Sequence, residues 1–392
     1  MQDFSVSVPI VTFDPNADLA ENEIRTRMGY LAGDCLRALE LALQDPSPTS
    51  MGRALHFTAD VVCSGGYALW KRFCHEYAID HIGLASLKIF PYLVARFKEL
   101  DQEYERLPSE SFYGNDGLQR RLGEVILVLQ QSPRRGKAKW PSVGPETHKN
   151  SAWLAGVRRA PAAAAVQKLW IRSSDLVELA VAANEMLYAC KEGAFERALF
   201  WLKWAHDEDL ALKKETGGGL TNSDHGIAVS TKGKGRATPI NFLFLCAIEY
   251  YKELSAAGGP LSRTPQSAGL HEEVKAIFNL YAQAPTSLLT GRKRMELLVI
   301  MLQLLCEVPK WKVVAAPPVV KDALQMTRAT QEAPKFFREI LARPEPRKII
   351  KKQPKPKKKK GEGLLTTDAK LNALDALANQ YYGLPSGGIG GR

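Results

Sequence analysis

The chain has 392 residues, 45% of them hydrophobic and 24% charged, with a formal net charge of +11. This is enough apolar material for one large or two ordinary cores, and it excludes a chain too polar to fold. No apolar run approaches the roughly 18 residues that cross a bilayer, and the opening MQDFSVSVPIVTF lacks the basic start and apolar run of a secretory signal, so an intracellular location is expected.

Residues 1–16 read as a short extended arm. Phe4, Val6, Val8 and Ile10 alternate with other positions, and Pro9 keeps the segment out of a central strand. Helical periodicity takes over in an N-terminal helical domain expected over 17–132. Asp18 is placed to cap a helix to Gln44, with Ile24, Met28, Leu31, Cys35, Leu39 and Leu43 on one face. A second helical region runs from Met51 to about His81 and kinks or turns at Gly65-Gly66. Ser86 is expected to cap a third helix to Leu100, and Asp116 a fourth carrying Leu118, Leu122, Ile126 and Leu129 inward.

A connection over 133–172 differs from what precedes it. Between Arg134 and Arg172 stand nine basic residues against the single acid Glu146, together with Trp140, Trp153, Trp170 and three prolines from Pro133 to Pro145. Its candidate nucleic-acid contacts are Arg134, Arg135, Lys137, Lys139, Trp140, Arg158 and Arg159, because cations neutralise phosphates and indoles stack on bases. The alternative is an ordered inter-domain anchor whose tryptophans are packed and whose cations are solvated. A domain boundary is expected near residue 150.

Helices resume in a C-terminal domain expected over 173–342. Ser174 is placed to cap Asp175 to Lys191, and a tight Glu192-Gly193 turn leads to a second helix from Ala194 to Lys214. The segment KEGAFERALFWLKWA resembles the second half of a tetratricopeptide repeat, with Gly193, Phe195, Ala198 and Ala205 at its packing positions. The two helices and their tight turn read as a helical hairpin, and the resemblance, over fifteen residues, implies helix packing only. Residues 217–237 read as a Gly, Ser, Thr and Lys-rich surface loop without phosphate-loop spacing. Thr238-Pro239 then opens a central helix, followed by helices from His271 to Gln283 and, capped by Thr290, from Arg292 to Glu307. A last one spans Val320 to Leu341 and is expected to break around Pro334.

The tail has two parts. From Arg343 to Lys360, ten basic residues face only Glu345, so this stretch carries +9 of the net +11. Pro354 and Pro356 with like-charge repulsion make 343–363 a disordered basic linker, in which Lys351, Lys352, Lys357, Lys358, Lys359 and Lys360 are further candidate nucleic-acid contacts. The cluster is similar to nuclear-localisation sequences, and it also suits a nucleic-acid arm, an acidic membrane surface or a solvated spacer. Residues 364–392 then form a helix-like peptide and a Gly-rich end. Leu371, Leu374, Leu377, Tyr381 and Tyr382 are its candidate partner contacts, docking either on the body or in a groove of another protein. Tyr381-Tyr382 is similar to the aromatic pair of sliding-clamp-binding peptides, but Asp375 and Ala378 stand where that motif has glutamine and an aliphatic residue.

Catalytic and metal signals are weak. Cys63, Cys74, His75, Asp80 and His81 are the densest group of metal-ligand types, but their spacing does not present paired ligands to one ion. The acid pairs Asp207 and Asp209, and Glu272 and Glu273, read as solvated helix surface. The expected fold is all-α, a helical bundle or irregular helical-hairpin array with an extended N-terminal arm and a disordered basic C-terminal tail. No cofactor, catalytic set or metal is assigned. The expected function is a non-enzymatic helical scaffold that associates with nucleic acid and recruits a protein partner through residues 364–392, with a nuclear address among the expectations. A protein or membrane-surface adaptor, its tail on acidic surfaces, is the alternative.

Overall fold

The structure is a computed structural model of the chain, and it describes residues 25–144, 151–161, 171–227, 238–256, 258–261, 271–307, 319–320 and 322–345. The expected N-terminal arm, the basic linker beyond 345 and the terminal peptide lie outside the described residues. Two compact units are distinguished, Met1–Arg347 and Lys348–Arg392, and only the first contains described residues. Among these the fold is all-α, with thirteen α-helices and no strand.

The first helix is shorter than its periodicity predicts. Helix α1 is Ala32–Gln44, because residues 25–31 close into a turn that a bridge between Arg25 and Leu31 ties off. Gly29 supplies the positive φ (88°) this turn requires, and Met28 N–H donates to the buried Asp60 carboxylate (3.1 Å). Helices α2 (Pro48–Cys63) and α3 (Tyr67–Tyr77) divide at Gly65-Gly66. The Ser47 hydroxyl caps α2 by accepting from Ser50 N–H (3.3 Å).

A π-helical turn, Ala78–Ile82, and a 3-10 turn, Gly83–Ser86, lead into α4 (Ile89–Arg106). Ser86 therefore ends a turn rather than capping the helix. After α5 (Ser109–Gly114), the cap of α6 (Asp116–Gln131) is Asn115, whose side chain accepts from Leu118 N–H (3.1 Å), so Asp116 is the first helical residue. Helix α7 is the short Ser151–Val157 within the connection.

Helices α8 (Val177–Lys191) and α9 (Phe195–Glu215) form the expected hairpin around Gly193, φ 69°. Leu176, not Ser174, precedes the first turn of α8. Thr238 and Pro239 open α10 (Pro239–Ser255) as the pattern predicts. Helices α11 (Glu272–Gln283), α12 (Gly291–Glu307) and α13 (Ala323–Leu341) complete the body.

Helix α13 runs through Pro334 without a break. Proline removes one helical N–H, about 3 kcal/mol in an exposed helix, but here Ala333, Pro334, Phe337 and Ile340 form a buried stripe packed on α2 and α6. Contact is close enough that a side chain at Gly123 of α6 would meet the Ala333 Cβ at 2.7 Å. Helices before and after residue 150 share one apolar core, because α13 returns to α2 and α6, α11 packs on α4, and α12 packs on the π-turn. The boundary expected near residue 150 thus falls within the single unit Met1–Arg347.

Residues 217–227 are not the open loop that their composition predicts. Leu220, Thr221, His225 and Ile227 are buried. The Thr221 hydroxyl donates to Asp175 (2.6 Å), and His225 Nε2 lies 3.4 Å from the same carboxylate. Lys232, Lys234 and Arg236 lie outside the described residues.

Candidate nucleic-acid interface

The basic connection contains two segments in different states. In the first, residues 134–140 lie as a strap against the helices. Arg134 Nη1 donates to the Gln44 carbonyl (2.6 Å) and Nη2 to the Gln130 carbonyl (2.9 Å), so one guanidinium satisfies carbonyls at the C-terminal ends of α1 and α6. That is a favourable place for a cation, since helix C-termini carry unpaired carbonyls and partial negative charge. Arg135 donates its backbone N–H to His81 O (2.9 Å) and pairs through both Nη atoms with Glu307 at the end of α12.

Lys137 reaches Asp80 on the π-turn at 2.9 Å, and Lys293 of α12 meets the same carboxylate. Burial opposes the Asp80 charge, but the hydrogen bonds and fields of Lys137 and Lys293 outweigh it and hold its pKa below the usual value. Trp140 Nε1–H donates to Glu296 (3.3 Å), whose pKa burial pushes up. A cavity of about 20 Å³ lies between strap and π-turn, room for about one water molecule. Lys139 is exposed and has no side-chain partner among the described residues.

The second segment, residues 153–160, is organised by a buried acid. Glu185 of α8 is 1% exposed. Its Oε1 accepts from the backbone N–H groups of Arg159 and Ala160, both at 2.9 Å. Its Oε2 accepts from Arg197 Nη2 of α9 (2.6 Å), which also donates to Val157 O (3.1 Å). One carboxylate therefore fixes the turn after α7 and orients an arginine. This arrangement turns the side chains of Arg158 and Arg159 outward, where both are exposed and neither guanidinium has a partner among the described residues.

Beside these arginines opens a hollow of about 280 Å³ lined by Trp153, Gly156, Val157, Arg159, Arg197, Phe200 and Trp201. Trp201 is 1% exposed, and Phe200 meets it edge-on, ring centres 5.5 Å apart at 81°. Trp153 is half-buried, with its ring centre 6.2 Å from Phe200 and 6.3 Å from Trp201. A cationic rim over an aromatic floor can hold a flat anionic ligand by stacking and charge together.

The structure therefore separates the sequence-derived candidates. Arg134, Arg135, Lys137 and Trp140 have partners within the protein, whereas Arg158, Arg159 and Lys139 have no side-chain partner among the described residues, although all six cations are exposed. Lys351, Lys352, Lys357, Lys358, Lys359, Lys360, Leu371, Leu374, Leu377, Tyr381 and Tyr382 lie outside the described residues. Sequence reasoning missed Glu185 and Arg197. The available signal was a glutamate amid Ala182, Ala183 and Met186 on the apolar stripe of α8, since a charge on a buried face requires a partner.

Among the described residues no group of three or more His, Cys, Asp or Glu side chains converges as a metal site. Cys63 and Cys74 are buried in the core. Burial lowers the His75 pKa to about 3, so this imidazole is neutral, with its ring centre 4.9 Å from that of Phe97. Of the acid pairs, Asp209 is buried and accepts from Leu220 N–H (3.0 Å), contrary to a solvated surface role, and Glu273 is buried as well. No helix among the described residues is long and apolar enough to cross a membrane. No family model, curated protein or solved structure matches the chain.

Proposed function

We propose that the protein is a helical scaffold that associates with nucleic acid through Arg158 and Arg159 and through its basic linker, and that recruits a protein partner through residues 364–392. The observation that carries the reading is the pair of exposed guanidinium groups beside an aromatic hollow, held on a turn that Glu185 fixes. The linker supports it with Lys351, Lys352, Lys357, Lys358, Lys359 and Lys360, a density of charge suited to phosphate contact without sequence preference. Arg134, Arg135 and Lys137 are exposed too, but they are already paired with carbonyls and carboxylates of the body, and this reading places the principal contacts on the unpaired cations. Lys139, exposed on the strap, remains a peripheral contact.

Binding of the intact chain to DNA or RNA should fall steeply as salt rises, because each phosphate contact releases condensed counterions. Replacing the six linker lysines with glutamine should weaken it about tenfold or more. Absence of binding to either nucleic acid at low salt would overturn the reading. Partner recruitment is tested separately by comparing proteins retained by the full chain and by a Leu371→Asp, Leu374→Asp, Tyr381→Ala variant. Identical sets would overturn that part.

A further inference from the structure

We propose that the hollow lined by Trp153, Phe200 and Trp201 receives one unpaired base, with the adjoining phosphates on Arg158 and Arg159, so that the strand recognised is single-stranded. The inference rests on the nucleic-acid reading above and deepens it. At about 280 Å³ the hollow sits near the lower end of small-ligand sites, which begin at roughly 300 Å³, and that is room for one ring system. Its chemistry is that of a base-stacking platform. Trp201, 1% exposed, backs the hollow from beneath, and the ring faces open to a base are those of the partly buried Trp153 and Phe200, with centres 6.2 Å apart at 50°.

Charge is placed at the rim, where the backbone of a bound strand would run. Arg159 lines the hollow and Arg158 precedes it on the same fixed turn. Arg197 is neutralised by Glu185, so its guanidinium plane offers a stacking surface while the exposed pair supplies the net attraction to phosphate. An acidic peptide would satisfy Arg158 and Arg159 but would bring no flat ring to the aromatic walls. A base in a duplex is paired and stacked on both faces, and entering the hollow would require extruding it at a cost of a few kcal/mol.

The test compares the intact protein on a short oligothymidylate, on an abasic strand with the same number of phosphates, and on a duplex of the same length. The thymidylate should bind about tenfold more tightly than either, corresponding to about 1.4 kcal/mol of stacking, within the usual range per base. A Gly156→Leu variant then fills the hollow. A Cβ at Gly156 meets nothing within 4 Å, so the variant should melt with the wild type, keep the abasic and duplex affinities, and lose the preference for thymidylate.

Equal binding of all three strands by the wild type would overturn the base site and leave the nucleic-acid reading standing. This comparison needs no variant. Undiminished preference in a folded Gly156→Leu protein would overturn the site too. Binding of poly-glutamate as tight as that of thymidylate would make an acidic peptide the occupant and overturn the proposal. Absence of binding to any strand at low salt would overturn the parent reading and this one together.

Discussion

Residues 134–140 and residues 153–160 belong to one basic connection and have nearly the same chemistry, arginines and a tryptophan close in sequence, yet the fold uses them in opposite ways. The first segment runs past helix C-termini and acidic side chains, so Arg134, Arg135 and Lys137 become surface ties to the body. The second runs past one buried carboxylate, which takes the backbone instead of the side chains. The lesson is that the location of the acids decides which cations remain available. Glu307, Asp80 and Glu296 lie far along the sequence from the strap, and Glu185 engages N–H groups that any residue types would have presented.

The comparison breaks most severely if Glu185 is removed. Glu185→Ala should cost about 3 kcal/mol or more, because it leaves Arg197, 19% exposed, without its counter-charge and two backbone N–H groups without an acceptor. The denaturant midpoint should drop, and protease cleavage should appear near residues 157–160. An unchanged midpoint would show that the turn is held by something else.

Opening the strap should cost less. Asp80→Asn leaves Lys137 and Lys293 facing each other without a counter-charge, but Lys137 is 57% exposed and water relieves much of the repulsion. About 2 kcal/mol is expected, with amide exchange faster over residues 134–140 and unchanged over 153–160. Equal loosening of both segments would erase the distinction between them.

The same tie gives the strap an acid limit. The folded pKa of Asp80 lies below its ordinary 3.8, so its contribution is complete above that value and is lost as pH falls through the lower folded pKa. Asp60 works in the opposite direction. Burial raises its pKa from 3.8 to about 6, so the folded state binds the proton more tightly than the unfolded state does, and its contribution is full below 3.8 and lost as pH rises from there to about 6. Asp60→Asn should flatten the stability profile between about pH 4 and 6 while leaving the acid release of the strap unchanged. A profile that keeps its slope in that window would remove Asp60 as the cause.

Much of the fold was legible because helical periodicity and capping are local. Thr238-Pro239, the Gly193 hairpin and the Gly65-Gly66 break each follow from residues within one turn of the feature they specify. What was not legible depended on distant chain. Pro334 sits inside a helix because α2 and α6 cover its face, and Gly29 closes a turn because Asp60 receives Met28 N–H. The candidate interface was half legible for the same reason. Composition located the basic, tryptophan-bearing connection, but nothing local in Arg135-Gly136-Lys137 announces Glu307 or Asp80, so engaged and unpartnered cations could not be separated. The Glu185 signal was present as a charge on an apolar stripe, though its partners were not.

The smallest effect on stability is the sharpest test of the comparison. Arg158→Gln with Arg159→Gln changes exposed side chains without partners among the described residues, so the denaturant midpoint should move by no more than about 0.5 kcal/mol. Affinity for nucleic acid should nevertheless fall, and the dependence of log K on log salt should become shallower by about 1 to 2, since each lost phosphate contact removes close to one unit from the slope. Arg135→Gln is the mirror-image control. It breaks the pair with Glu307 and should lower stability by about 1 kcal/mol while leaving the salt slope where it was. If Arg135→Gln changed the slope as much as the Arg158 and Arg159 pair did, the strap would have to open to bind, and its ties would be a latch on the interface rather than a part of the fold.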